Sequence, residues 1–231
     1  MIGTYINDFF FGFYPYVCLT VFVVGSIMRY DRDQYTWKAD SSMLLRKKGM
    51  RLYNYMFHIG VLFLFCGHLV GLLTPHAVYE VFITSSQKVV LAMVSGGIFG
   101  LICLAGISFL LYRRLYDPRI RAASKPTDTL ILVLVFIQLI LGLISILFSA
   151  QHLDGSSMVR LAGWAQHIVT FREGAAGLIM EESLIFKLHI ILGMTLFLLF
   201  PFTRLVHIFS GVAAPIKYIY RSGYQIVRKR G

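Results

Sequence analysis

Five apolar runs dominate the chain, at about Phe9–Met28, Leu52–Leu73, Val89–Tyr112, Thr129–Ser149 and Leu184–Ser210. Each supplies the roughly 20 residues that a helix needs to cross a ~30 Å hydrocarbon core. They predict an all-α fold, an integral membrane bundle of five transmembrane helices with short connections. Composition agrees: 57% of residues are hydrophobic and 14% charged, with a mean hydropathy of +0.71, so no separate soluble catalytic domain is left over. With no internal repeat or low-complexity linker, residues 1–231 read as one domain with a short tail at about 211–231.

The formal net charge of +11 suggests nucleic acid only until its distribution is followed. Of the 22 basic residues, all but Lys88, Arg160, Arg172 and Lys187 fall in the segment after the first run, the segment after the third, or the end of the fifth and the tail. Basic residues concentrate on the cytoplasmic side of membrane proteins. The N-terminus is therefore expected outside and the C-terminus in the cytoplasm, and the basic segments are read as topology signals that meet lipid headgroups rather than nucleic acid. The first run is not read as a signal peptide: no basic n-region precedes it, and Arg29-Tyr30-Asp31-Arg32 follows as an inside anchor. Cys18, Cys66 and Cys103 lie in different runs with no CxxC spacing, which gives iron–sulfur or zinc ligation no support and makes packing the better reading.

Two of the runs carry histidines where ionisable groups are costly and mark function. His58 and His68 flank FHIGVLFLFCGH in the second run, and His189 and His207 lie in the fifth. On a helix the first two are separated by about 80° and ~15 Å, and the second two by five turns, about 27 Å, on one face. Antiparallel, the helices bring His58 level with His207 and His68 level with His189. Four imidazoles suit two six-coordinate haems, each held by one histidine from each helix. Unequal separations require the fifth helix to tilt or to bend at Pro201. His76 is the rival of His68, but Thr74-Pro75 should end the second helix and leave it in an outer loop. The competing readings are hydrogen-bonded core histidines and a proton-relay transporter. Thr195 and Ser210 are candidate partners for the imidazoles' second nitrogens. Gly60, Gly67 and Gly71 form a stripe that reads first as close helix packing. A macrocycle beside His68 could use the same lack of side chains.

The stretches RYDRDQYTWKADSSMLLRKKGM, FHIGVLFLFCGHLVGLLTPH, SAQHLDG, GWAQ and FKLHIILGMTLFLLFPFTRLVHI resemble the gamma subunit of respiratory nitrate reductase, a membrane diheme cytochrome b family, over nearly the full length. The resemblance weakens from Arg172 to Ser183 and after Ser210. It implies two haems b, with His58 and His207 as axial iron ligands near the cytoplasm and His68 and His189 near the outer face. It also implies a bacterial cytoplasmic (inner) membrane location and quinol oxidation, with electrons passing to an iron–sulfur beta subunit and a molybdenum alpha subunit on the cytoplasmic side, in anaerobic nitrate respiration. No nitrate-reducing site lies in this chain. Tyr30, Tyr35 and Trp37, among charges, read as a partner-binding or interfacial surface. Lys88, at the outer start of the third run, matches the family's quinol-binding lysine; without the resemblance it reads as a snorkelling anchor. His76 and Glu80 are possible proton acceptors beside it. The alternative is a related cytochrome b of a dissimilatory sulfite- or heterodisulfide-type reductase, whose histidine pairs would be the same.

Overall fold

A chain in hydrocarbon must satisfy its backbone polar groups internally, and this one does so with helices. The computed structural model describes residues 2–33, 36–37, 45, 48–151 and 153–209. In chain order the helices are α1 (Ile2–Asp8), α2 (Tyr14–Arg32), α3 (Met50–Leu73), α4 (His76–Tyr79), α5 (Ser85–Tyr116), α6 (Pro118–Ala123), α7 (Pro126–Ser149), α8 (Ser156–Val169), α9 (Ala175–Ile179) and α10 (Leu184–Leu199), and no strand occurs among the described residues. A π-type turn, Phe9–Phe13, joins α1 to α2 without a break. Five helical segments, Gly3–Arg32, Met50–Leu73, Ser85–Tyr116, Pro126–Ser149 and Leu184–Phe202, are long and apolar enough to cross a membrane. The expected five-helix bundle is present. Its helices extend beyond the apolar runs at most ends, because helix boundaries follow capping rather than hydropathy: α5 starts four residues before the run, at a capping box in which Thr84 and Gln87 each close the other's backbone N–H.

Small residues set how closely the helices approach, as expected where lipid leaves no hydrophobic drive for helix association. A Cβ on Gly60 would lie 2.6 Å from Cys103 Cβ, and one on Gly106 only 2.5 Å from the Phe57 backbone nitrogen, so α3 and α5 pack antiparallel almost backbone to backbone. Stacked pairs Tyr53–Phe109 and Phe63–Phe99 lie on either side of this contact. Gly100 receives Leu143 of α7 in the same way. On the other flank, α2 runs parallel to α10, with Phe22 edge-on to Phe197 and Phe200 and the Tyr14 hydroxyl 2.9 Å from that of Thr195. The result is a bundle in which α3 and α10 each have their main packing partners elsewhere, α3 on α5 and α8, α10 on α7 and α2.

Each end of the bundle is closed differently. At one end α8 and α9 pack on the π-type turn through Phe11, Trp164, Ile168 and Ile179. Trp164 donates its indole N–H to the Phe11 carbonyl (2.9 Å), and Gln166 donates to the carbonyls of Leu72 and Thr74, which the end of α3 leaves without helical partners. The buried Glu182 carboxylate accepts from Arg160 at 2.6 Å. The opposite end is basic. There Asp128 lies between Arg114 (3.5 Å) and Arg204 (3.8 Å), tying α5, α7 and the chain beyond α10 together.

Two packing expectations are corrected. Gly67 and Gly71 do not serve helix packing, since a Cβ at either would meet nothing within 4 Å. Cys18 and Cys103 are buried as expected, but Cys66 is exposed on α3.

Candidate functional site

The histidines of the two runs meet in two pairs. His58 and His207 have ring centroids 6.2 Å apart at an interplanar angle of 75°. His68 and His189 are 5.9 Å apart at 36°. Each pair takes one ring from α3 and one from the α10 segment, so the depth matching expected of the sequence holds. His76 is not part of either pair: α3 stops at Leu73 before Thr74-Pro75, as the sequence predicts, but His76 then opens the short helix α4 instead of lying in a loop.

The unequal spacings reconcile at Pro201. α10 ends at Leu199, and the chain leaves the helix axis through two 3-10 turns, Phe200–Phe202 and Arg204–Val206, separated by extended Thr203 at φ −122° and ψ 179°. His189 and His207 therefore do not share the face of one continuous helix, and the five-turn separation does not apply. A broken helix leaves carbonyls without partners. Arg29 of α2 donates to two of them, those of Pro201 (2.6 Å) and Thr203 (2.8 Å). The position of His207 thus depends on an arginine from the first span.

Three of the four imidazoles are oriented by the backbone. Nδ1–H donates to the Asn54 carbonyl in His58 (2.8 Å), to that of Leu64 in His68 (2.7 Å) and to that of Arg204 in His207 (2.5 Å). A proton held on Nδ1 leaves the Nε2 lone pair free to bind a metal, and such a bond fixes both tautomer and ring plane. Thr195 does not take this role; its hydroxyl is engaged with Tyr14 and the Ile191 carbonyl. Ser210, Tyr35 and the tail from residue 211 lie outside the described residues. His189 differs from the other three: its Nδ1 has no partner among the described residues, and Gln138 Nε2 lies 3.4 Å from its Nε2. Gly142 admits the ring, since a Cβ there would lie 3.0 Å from His189 Cε1.

Among the described residues no three His, Cys, Asp or Glu side chains gather as a metal site, so the metal-binding potential is that of imidazole pairs. The protein matches the family model described as nitrate reductase gamma subunit across residues 7–230. The chain belongs to the nitrate reductase gamma subunit family. It is 52% identical over 226 residues to the respiratory nitrate reductase 2 gamma chain of Escherichia coli (strain K12), covering 98% of both chains. Identity is again 52% over 226 residues to the respiratory nitrate reductase 1 gamma chain of that organism, covering 98% of this chain and 99% of the relative. The nitrate reductase gamma chain of Bacillus subtilis (strain 168) is 39% identical over 220 residues, 95% of this chain and 96% of the relative.

Lys88 occupies the α8–α9 end of this gamma-subunit-family fold. It is buried, its ammonium 3.7 Å from the centre of the Tyr79 ring, and Nζ has no hydrogen-bond partner among the described residues. It does not snorkel. A cation–π contact contributes about 0.5–2 kcal/mol, whereas burying an ion costs several. Beside Lys88 the Tyr79 hydroxyl lies 3.1 Å from Ser85, whose Oγ is 3.3 Å from His76 Nε2; His76 in turn lies 2.9 Å from the Glu80 carboxylate, with both of those side chains 48% exposed. At the basic end, Trp37 is half-buried and Tyr30 exposed. The Trp37 ring stacks on Phe209 at 6.0 Å and meets Tyr30 edge-on at 5.2 Å, beside the His207 turn. Sequence reading missed Arg29 and Gln138. By sequence Arg29 reads as a topology charge in a basic segment open to cytoplasmic partners, and Gln138 sits in an apolar run as one polar residue with no spacing to flag it.

Proposed function

We propose that this chain is the membrane-anchoring cytochrome b subunit that oxidises quinol for a nitrate reductase complex. The observation that carries the reading is the spacing of the two histidine pairs. Two imidazole nitrogens about 2 Å from one metal ion put the ring centroids about 6.3 Å apart, against 6.2 and 5.9 Å here. His58 and His207 would hold one haem b at the basic end, and His68 and His189 the other at the α8–α9 end. When bound, the haems supply one-electron transfer across the bilayer. The chain's own residues fix the imidazoles for that task, through carbonyls on α3 and through the Arg29-supported turn beyond α10. Gly67 and Gly71 leave the surface of α3 next to His68 without side chains.

Quinol is the substrate, and Lys88 is its proposed anchor. A buried ammonium without a hydrogen-bond acceptor can donate to a quinol oxygen in an apolar setting, orienting the ring and favouring loss of its proton. With the basic end in the cytoplasm of a bacterial inner membrane, the Lys88 end faces outside. Electrons then leave at the basic end for the iron–sulfur and molybdenum subunits expected there. Similarity to nitrate reductase gamma chains favours that terminal acceptor over a sulfite- or heterodisulfide-type partner. A reduced-minus-oxidised spectrum of the purified chain should show two low-spin b haems. Single His58→Ala and His207→Ala variants should lose the same haem, and His68→Ala and His189→Ala the other. A colourless chain, or loss of different haems within one pair, would sink the proposal.

A further inference from the structure

Between α7 and α10 two residues interlock reciprocally. Gln138 of α7 has Gly142 one turn on, and His189 of α10 has Gly193 one turn on; the helices are antiparallel, so each polar side chain faces the other helix's glycine. A Cβ on Gly142 would lie 3.0 Å from His189 Cε1, and one on Gly193 would lie 3.2 Å from Gln138 Nε2. The amide nitrogen donates to the His189 carbonyl at 3.0 Å. Two atoms of this arrangement are buried and lack a hydrogen bond among the described residues, Gln138 Oε1 and His189 Nδ1. One is an acceptor. The other is the ring nitrogen that becomes a donor when Nε2 binds a metal.

We propose that Gln138 is the positioning residue of His189, with its Oε1 accepting the Nδ1–H bond that backbone carbonyls accept from His58, His68 and His207. The inference rests on the haem reading above. Buried polar groups are rarely left unpaired, and these two orphans of opposite character belong to side chains already in contact, the amide nitrogen lying 3.4 Å from His189 Nε2; reorienting the amide and the ring when Nε2 takes the metal lets each orphan satisfy the other. A ligand histidine nearly always donates its second nitrogen, and the acceptor raises its basicity. Unlike the other three, His189 Nδ1 is given no backbone carbonyl among the described residues. An acceptor on a side chain also makes this ligand tunable by substitution.

The test compares Gln138→Met, which fills similar volume without an acceptor, with Gln138→Glu, which keeps one. Both are made in the full-length chain in its native membrane, with haem content, redox titration of each haem and low-temperature electron paramagnetic resonance. A weaker electron donor at iron favours the reduced state. Gln138→Met should therefore raise the potential of the His68/His189 haem and shift its low-spin signal, or lose that haem. Gln138→Glu should retain it at or below the wild-type potential, and the His58/His207 haem should keep its potential in both. Equal shifts of the two variants in one direction, equal shifts of both haems, or loss of the haem from both variants would overturn the inference and leave Gln138 a packing residue. A wild-type chain that binds no haem would instead overturn the reading beneath it, and this inference with it.

Discussion

At the level of single residues, the chain places few polar groups in its apolar segments, and most of these are oriented by a named partner. Lys88 is the exception that bears on substrate. Its ammonium has the Tyr79 ring and no oxygen among the described residues. Lys88→Ala should leave both haems and their spectra near wild type, because no lysine is needed for a bis-histidine iron. Loss of one charge-assisted hydrogen bond costs about 1.5–3 kcal/mol, roughly a ten- to hundredfold weaker quinol interaction. Haem reduction by quinol should slow accordingly, while an artificial donor that feeds the cytoplasmic partners directly is unaffected. Normal reduction by quinol would return Lys88 to a packing role against Tyr79. His58, His68, His189 and His207 were legible from their spacing because hydrocarbon makes any ionisable residue conspicuous. The orientation of their rings was not, since it depends on carbonyls one turn away and, for His189, on an amide from another helix.

At the level of elements, the contact between α3 and α5 carries the site as much as the histidines do. Gly106 lies against the backbone of Phe57, next to His58, and a single methyl there would come within 2.5 Å of a backbone nitrogen. Backbone cannot yield as a side chain can, and overpacking of this kind costs about 1–3 kcal/mol or more. Gly106→Ala should lower thermal stability and deplete the haem assigned to His58 and His207 before the other. Gly97→Ala is the matched control, because its Cβ would meet only Ile146 Cδ1 at an ordinary 3.8 Å and it should be tolerated. Haem content and thermal denaturation of the two variants decide this; equal tolerance would mean that α3 and α5 separate freely. The break after Leu199 is the second decisive element. Pro201 announces a bend in the sequence, but neither its 3-10 geometry nor the arginine from α2 that completes it is written locally.

For the whole molecule, the expected sidedness follows from where charge collects. Asp128, Arg114 and Arg204 gather at the end that also receives Arg29, and every described basic residue at the other end is one of Lys88, Arg160, Arg172 and Lys187. Reporter fusions after Arg121 and after Met158 should report cytoplasm and exterior respectively, since positive residues resist translocation. The opposite pattern would invert the assignment of each histidine pair to a membrane face, and with it the direction of electron flow proposed above. It would leave the pairing itself intact.

The amino-acid sequence by itself determined the number of spans, their helical nature and the pairing of histidines by depth. Those features depend on one-dimensional quantities: an apolar run must be about 20 residues long to cross hydrocarbon, and the order of residues along two antiparallel spans sets their order in depth, even where the break after Leu199 removes the direct conversion of spacing into height. Tertiary structure decided what no spacing encodes. It placed Gly60 and Gly106 in backbone contact while leaving Gly67 and Gly71 free of any neighbour, although all but Gly106 look alike on one stripe. It stacked Trp37 on Phe209, buried Lys88 against Tyr79, and set Gln138 against His189. The reason is physical: which atoms meet across helices depends on axial rotation and close approach, and these are fixed jointly by all the packed faces rather than by any one of them.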